Sequence, residues 1–124
     1  MIKRFYLLLL AIVASVGMYA ELTPRSGDSW DNTTKTLTVN SNPQDDYYND
    51  QGEIKRLVIS SSVTEIGEQA FSSNYNLESV IAYGGLQVID QSAFFSCPNL
   101  VSVILPSTLR EVRYSAFGYC DNLK

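Results

Sequence analysis

Apolar positions in the second half of the chain recur in columns 23 residues apart. Leu57, Val80 and Val103 share one column, and Ile59, Ala82 and Leu105 the next. Val63, Leu86 and Leu109 follow, then Ile66, Ile89 and Val112. The pairs Ala70-Phe71, Ala93-Phe94 and Ala116-Phe117 keep the same offset, as do Asn76-Leu77, Asn99-Leu100 and Asn122-Leu123. The units are therefore residues 54–76, 77–99 and 100–122, the last two identical at ten of 23 positions. Within a unit, Leu100-x-x-Val103-x-Leu105 ends in period-two alternation, which predicts a short strand with Val103 and Leu105 on one face. Pro106 ends it, because proline donates nothing to a central ladder. Leu109 and Val112 supply an inward pair on the returning segment, and Ser115-Ala116-Phe117 bring a small residue to the backbone and a ring to the centre. Asp121-Asn122 turn the chain into the next strand. One unit cannot bury its apolar face alone, whereas coils stacked about 4.8 Å apart line each column up with its copy. The pattern predicts a right-handed solenoid with a parallel sheet along one side.

The first half reads differently. Met1-Ile2-Lys3-Arg4 is a short positive start, residues 5–16 are an uncharged apolar run of twelve, and small residues follow. That is the layout of a secretory signal peptide, and the run falls short of the roughly 20 apolar residues a bilayer crossing needs. Cleavage after Ala20 puts Met18 at the −3 position and cleavage after Gly17 puts Ser15 there, so the mature chain is expected to begin between Met18 and Glu21. A buried N-terminal helix is the alternative. Without a cysteine after the run, a lipid-anchored start is not expected. In residues 21–53, Trp30 precedes a polar turn, Asp31-Asn32-Thr33-Thr34, and Thr36-Leu37-Thr38-Val39 alternates as a strand does. Trp30, Leu37 and Val39 are its core formers, and the segment is expected to be a β cap over the open end of the first coil. Residues 42–48 read as a loop by their turn residues.

Composition narrows the chemistry. The 124 residues are 45% apolar and 18% charged, which suits one globular domain and excludes disordered or collagen-like classes. Histidine is absent, which removes His-based acid–base catalysis, Ser-His and Cys-His nucleophile pairs and His-ligated metal. Without Lys3 and Arg4 there are 7 basic and 13 acidic residues, a net −6, which disfavours nucleic acid or an anionic membrane as partner. Asp45, Asp46, Asp50 and Glu53 raise the question of calcium, but an EF-hand starting at Asp46 has Tyr48 at position 3 and Gln51 at position 6, so a solvated acidic loop is expected. Asn32-Thr33-Thr34 is a glycosylation sequon or an unmodified turn. The two cysteines, Cys97 and Cys120, occupy one column of adjacent coils, with Cα atoms expected about 5 Å apart. They are read as stacked core thiols, with a disulfide as the alternative. The Asn column is expected to satisfy turn backbone groups. No catalytic constellation, cofactor site or metal site is expected.

The string L-x-S-V-x-L-P-x-x-L-x-x-V-x-x-x-A-F-x-x-C-x-N is carried by Leu100, Ser102, Val103, Leu105, Pro106, Leu109, Val112, Ala116, Phe117, Cys120 and Asn122. It resembles the BspA-like leucine-rich repeat, a 23-residue class of bacterial and protist surface proteins. The resemblance covers residues 54–124 and extends more weakly over 30–39. Coil one departs with Asn74 in the Cys column, and coil two with Tyr83-Gly84-Gly85 for Pro106-Ser107-Thr108. The resemblance implies an α/β-type repeat solenoid with mostly irregular or short helical returns behind a β-hairpin cap. It also implies a secreted or surface-exposed, adhesin-like module that binds an extracellular or host protein. The strand residues that alternate with the core, Arg56, Val58, Ser79, Ile81, Ser102 and Ile104, are the candidate face, with Val58, Ile81 and Ile104 as an apolar stripe about 10 Å long. The other reading is a structural spacer without a ligand. Leu123-Lys124 match the start of a fourth unit, from which a longer array, or end-to-end pairing through coil three, is expected.

Overall fold

The computed structural model describes residues 21–44, 48, 49 and 51–124. The predicted export segment and the acidic positions Asp45, Asp46 and Asp50 lie outside the described residues. Eight short strands follow in chain order: β1 (Ser29–Asp31), β2 (Thr36–Val39), β3 (Arg56–Ile59), β4 (Glu65–Ile66), β5 (Ser79–Ala82), β6 (Val88–Ile89), β7 (Ser102–Ile104) and β8 (Glu111–Val112). They form a five-stranded sheet in the order β1-β2-β3-β5-β7 and a three-stranded sheet in the order β4-β6-β8. Among the described residues only the β1–β2 hairpin is antiparallel. Every later pairing is parallel and in register, with Leu57 opposite Val80 and Val80 opposite Val103. The chain thus coils as the apolar columns require.

Side chains inside the coil come from three directions. Leu57, Ile59, Val80 and Ala82 point in from the large sheet, and Ile66 and Ile89 from the small one. From the third side comes a ladder of rings. Tyr48, Phe71, Phe94 and Phe117 stack nearly parallel, with centroids 5.8, 5.4 and 5.2 Å apart. Stacking in register lets each large ring bury against its copy in the next coil, and Tyr48, Phe71 and Phe94 are almost fully buried. In coil three the inward residues Val103, Leu109 and Phe117 are half-buried, and Leu105 and Val112 are exposed.

The returns contain no helix among the described residues: of the mostly irregular or short helical returns the resemblance implied, they are the irregular kind. Two residues per return are left-handed: Gln69 and Ser73, Ser92 and Ser96, Ser115 and Tyr119, with φ between 53° and 60°. A left-handed L-residue at every fourth position stops a helix before its second turn. The backbone groups so freed pair across coils. Phe71 N–H donates to Ala93 O at 2.8 Å and Phe94 N–H to Ala116 O at 2.7 Å; the flanking left-handed residues do the same, for example Ser73 to Phe95 O. The return is in effect a third hydrogen-bonded side of the coil.

Residues 21–53 do more than lie over the end. β2 pairs in parallel with β3, Leu37 opposite Leu57 and Val39 opposite Ile59, so Leu37 and Val39 continue the inward columns. Pro43 accepts from Gly67 N–H at 2.8 Å, and Tyr48, read from sequence as part of a loop, heads the ring ladder. The segment is a shortened coil. From inward strand residue to ring it spans 11 positions (Leu37 to Tyr48), where the later coils take 14 (Leu57 to Phe71). Ahead of it, Trp30 pairs with Leu37 across the hairpin and packs half-buried against the core.

Candidate interaction surface

The six predicted face residues stand together on the outside of the large sheet. Arg56, Ser79 and Ser102 form one cross-strand row, and Val58, Ile81 and Ile104 the other. The alternation that buries Leu57 and Val80 forces their neighbours outward. Val58 and Ile81 are half-buried among their flanks, while Ile104 is 60% exposed. Sequence reasoning stopped the face at coil one. The parallel pairing of β2 extends it, placing Thr36 beside Arg56 and Thr38 beside Val58. The hairpin adds Asp31 and Ser29 at the end of the two rows. The missed signal is the strand offset of 20 rather than 23 between Leu37 and Leu57, which a search at one period cannot see.

Two features fix this face. Arg56 Nη1 donates to Thr34 O at 3.0 Å, so the guanidinium lies along the sheet. The Asp31 carboxylate caps the hairpin turn by accepting from the N–H groups of Thr34 and Thr33, which hold its pKa below the usual carboxylate value. The corners from which β3, β5 and β7 depart are tied by the Asn column. Asn76, Asn99 and Asn122 each donate a side-chain N–H to the carbonyl 24 residues earlier, Gly52, Tyr75 and Pro98, at 2.6, 2.6 and 2.7 Å. The column thus bonds turn carbonyls of the preceding coil, as its spacing predicts.

Just before each Asn lies the column Asn74, Cys97, Cys120, and it repeats one interaction. Asn74 Nδ2 donates to Tyr48 O at 2.8 Å, Cys97 Sγ to Phe71 O at 3.4 Å and Cys120 Sγ to Phe94 O at 3.1 Å, always 26 residues back. Both cysteines are free thiols and buried. They also touch each other, which splits their acidities. The neighbouring Cys120 sulfur and burial push Cys97 well above the usual thiol value. Cys120, beside the Cys97 sulfur, is drawn down to about 7.

Elsewhere the charged groups serve the frame. Arg113 bridges Asp90 of the preceding coil at 3.0 Å and Glu111 at 2.9 Å. Near the N-terminus Arg25 pairs with Asp28 at 2.9 Å and lies over the Tyr48 ring, whose hydroxyl donates to Asp28. Burial holds the Tyr48 hydroxyl protonated far above the usual tyrosine range. Glu53 lies 3.7 Å from Lys35, which sits over the Trp30 ring. Among the described residues no three His, Cys, Asp or Glu side chains gather as a metal cluster, and no helix is long and apolar enough to cross a membrane.

A parallel coil with in-register columns and a flat outward face defines a leucine-rich-repeat solenoid. The family model described as BspA type leucine rich repeat region matches residues 33–124 in six copies. The chain belongs to that family. The match begins inside the shortened coil, where strand pairing also places the start of the parallel array. Among solved structures, the fold is similar to that of a leucine rich cell surface protein from Faecalibacterium prausnitzii A2-165. The two share 18% identity with a TM-score of 0.61 over 85% of this chain, which spans 36% of that protein. A T. pallidum leucine rich repeat protein aligns over 83% of this chain and 69% of its own at 20% identity and a TM-score of 0.45. No curated protein matches the chain.

Proposed function

We propose that the protein is an exported, non-catalytic binding module that holds an extracellular protein against the outer face of its large sheet. The observation that carries the reading is the face itself. Two straight rows, Thr36-Arg56-Ser79-Ser102 and Thr38-Val58-Ile81-Ile104, set hydrogen-bonding side chains beside a β-branched apolar strip. An exposed apolar strip with polar flanks is the chemistry of a protein contact, and the rigid coil offers it at little entropic cost. Residues 1–20 act as the export signal in this reading, and residues 21–53 both close the first coil and lengthen the face. The Faecalibacterium neighbour is a cell surface protein, which supports export.

The test is retention of extracellular matrix proteins on the immobilised chain, measured by interferometry for wild type and for Ile81→Asp plus Ile104→Asp. Each aspartate forces a charge into the desolvated contact. The expected result is at least a tenfold loss of affinity with circular dichroism and melting temperature unchanged. A partner held equally by the double variant moves the site elsewhere, and a chain that retains nothing is a spacer.

A further inference from the structure

Cys97 and Cys120 take no part in the binding face, and their placement carries an inference of its own. They are the only cysteines in the chain, so each has one intramolecular partner available. They fill the same column of adjacent coils, where ring centroids in the parallel column lie 5.4 and 5.2 Å apart. In-register neighbours of a parallel ladder are about 4.8 Å apart, inside the 4.4–6.8 Å window of Cα separations a disulfide accepts. Both sulfurs lean toward the preceding coil. Cys97 Sγ reaches back to Phe71 O and Cys120 Sγ to Phe94 O. The Cys120 sulfur therefore already sits on the side where Cys97 lies. Only Cys97 has to turn about χ1, giving up its contact with Phe71 O, and that carbonyl keeps the 2.7 Å bond from Asn74 Nδ2.

We propose that Cys97 and Cys120 are a dithiol that a small disulfide of the glutathione class oxidises to a bond between coils two and three. Cys120, 9% exposed where Cys97 is fully buried, is the attacking thiol. Its thiolate displaces one thiolate from the small disulfide, which takes up a proton, and a mixed disulfide forms on Cys120. Cys97 loses its proton to solvent and attacks the Cys120 sulfur, expelling the second small thiolate. The protein gives up two protons and two electrons, and one small disulfide becomes two thiols. The reaction is faster above pH 7 than below it, since the neighbouring Cys97 sulfur draws the Cys120 thiol to about 7. The coil that carries Asn74 instead of cysteine stays outside the staple.

The experiment uses the whole chain, purified reduced and equilibrated with oxidised and reduced glutathione. It is then quenched in acid, alkylated with iodoacetamide in denaturant and weighed intact. The expected product is a monomer about 2 Da lighter than the reduced chain, carrying no alkyl group and melting higher. Cys97→Ser, which keeps a donor for Phe71 O, is expected to stop at a glutathione adduct on Cys120. Cys120→Ser is expected to remain unmodified. Wild type that ends with two alkyl groups, with a lasting glutathione adduct or as a disulfide-linked dimer overturns the proposal, as does an adduct trapped on Cys97.

Discussion

Gly84 and Gly85 are adjacent and alike in sequence, yet the coil needs only one of them. Gly85 has φ of +126°, and a Cβ there would collide with the carbonyl oxygen of Ser61 in the coil before. At Gly84 a Cβ would meet nothing within 4 Å. Gly85→Ala is expected to cost about 2–3 kcal/mol, from a strained backbone and a coil pushed off its neighbour. Gly84→Ala is expected to lie within about 0.5 kcal/mol of wild type, the range of an ordinary surface change. Urea denaturation of the two variants side by side checks the contrast. The same rule of position over chemistry holds at Asn74, Cys97 and Cys120, where an amide and two thiols all reach the carbonyl 26 residues back. The spacing made the column visible in the sequence. What the column does was not visible there, because the thiol stands where an amide stands one coil earlier.

Among elements, the ring ladder is the most demanding, because each interior ring has a neighbour above and below. Phe94 lies between Phe71 and Phe117 and is fully buried, so Phe94→Ala opens a cavity that stacked coils cannot collapse into. The expected loss is about 3–5 kcal/mol, read from thermal or chemical unfolding. A melting temperature unchanged by the substitution would mean the rings are not what holds the coils. Strands β3, β5 and β7 and the ring column were legible because their apolar residues repeat at one spacing, whereas β4, β6 and β8 were read only as inward pairs on the returning segments. The turn geometry of the returns was not legible, because left-handed Gln69, Ser92 and Ser115 carry no glycine to announce it. The shortened coil ahead of coil one was missed for another reason. Its strand-to-ring interval is three residues short, which leaves Tyr48 aligned at 23 with Phe71 while Leu37 and Val39 fall at 20 from their partners. A period search finds only coils that keep the whole period.

Across the whole molecule, the prominent contacts join each coil to the next. Strand pairs, ring stacks, Asn amides and the Arg113–Asp90 ion pair all link neighbours. Stability of such a stack is close to a sum over neighbouring pairs. The large sheet gains its outer face in the same way, each coil adding one side chain to each of the two rows.

Because the boundaries between the full-length coils are the same Asn-Leu junction, length is a quantity this architecture can inherit separately from shape. Excising residues 77–99 would join Asn76 to Leu100 and bring Phe71 under Phe117, Leu57 beside Val103 and Asn74 beside Cys120. Each surviving pair is of a kind the chain already contains. The shortened chain is expected to keep its strand signal in circular dichroism and to melt cooperatively at a lower temperature. Removing 12 residues in place of 23 would put strand against return and leave no folded product. Copy number can then rise or fall by recombination between coils, lengthening or trimming a contact surface while the local geometry of each row is passed on unchanged.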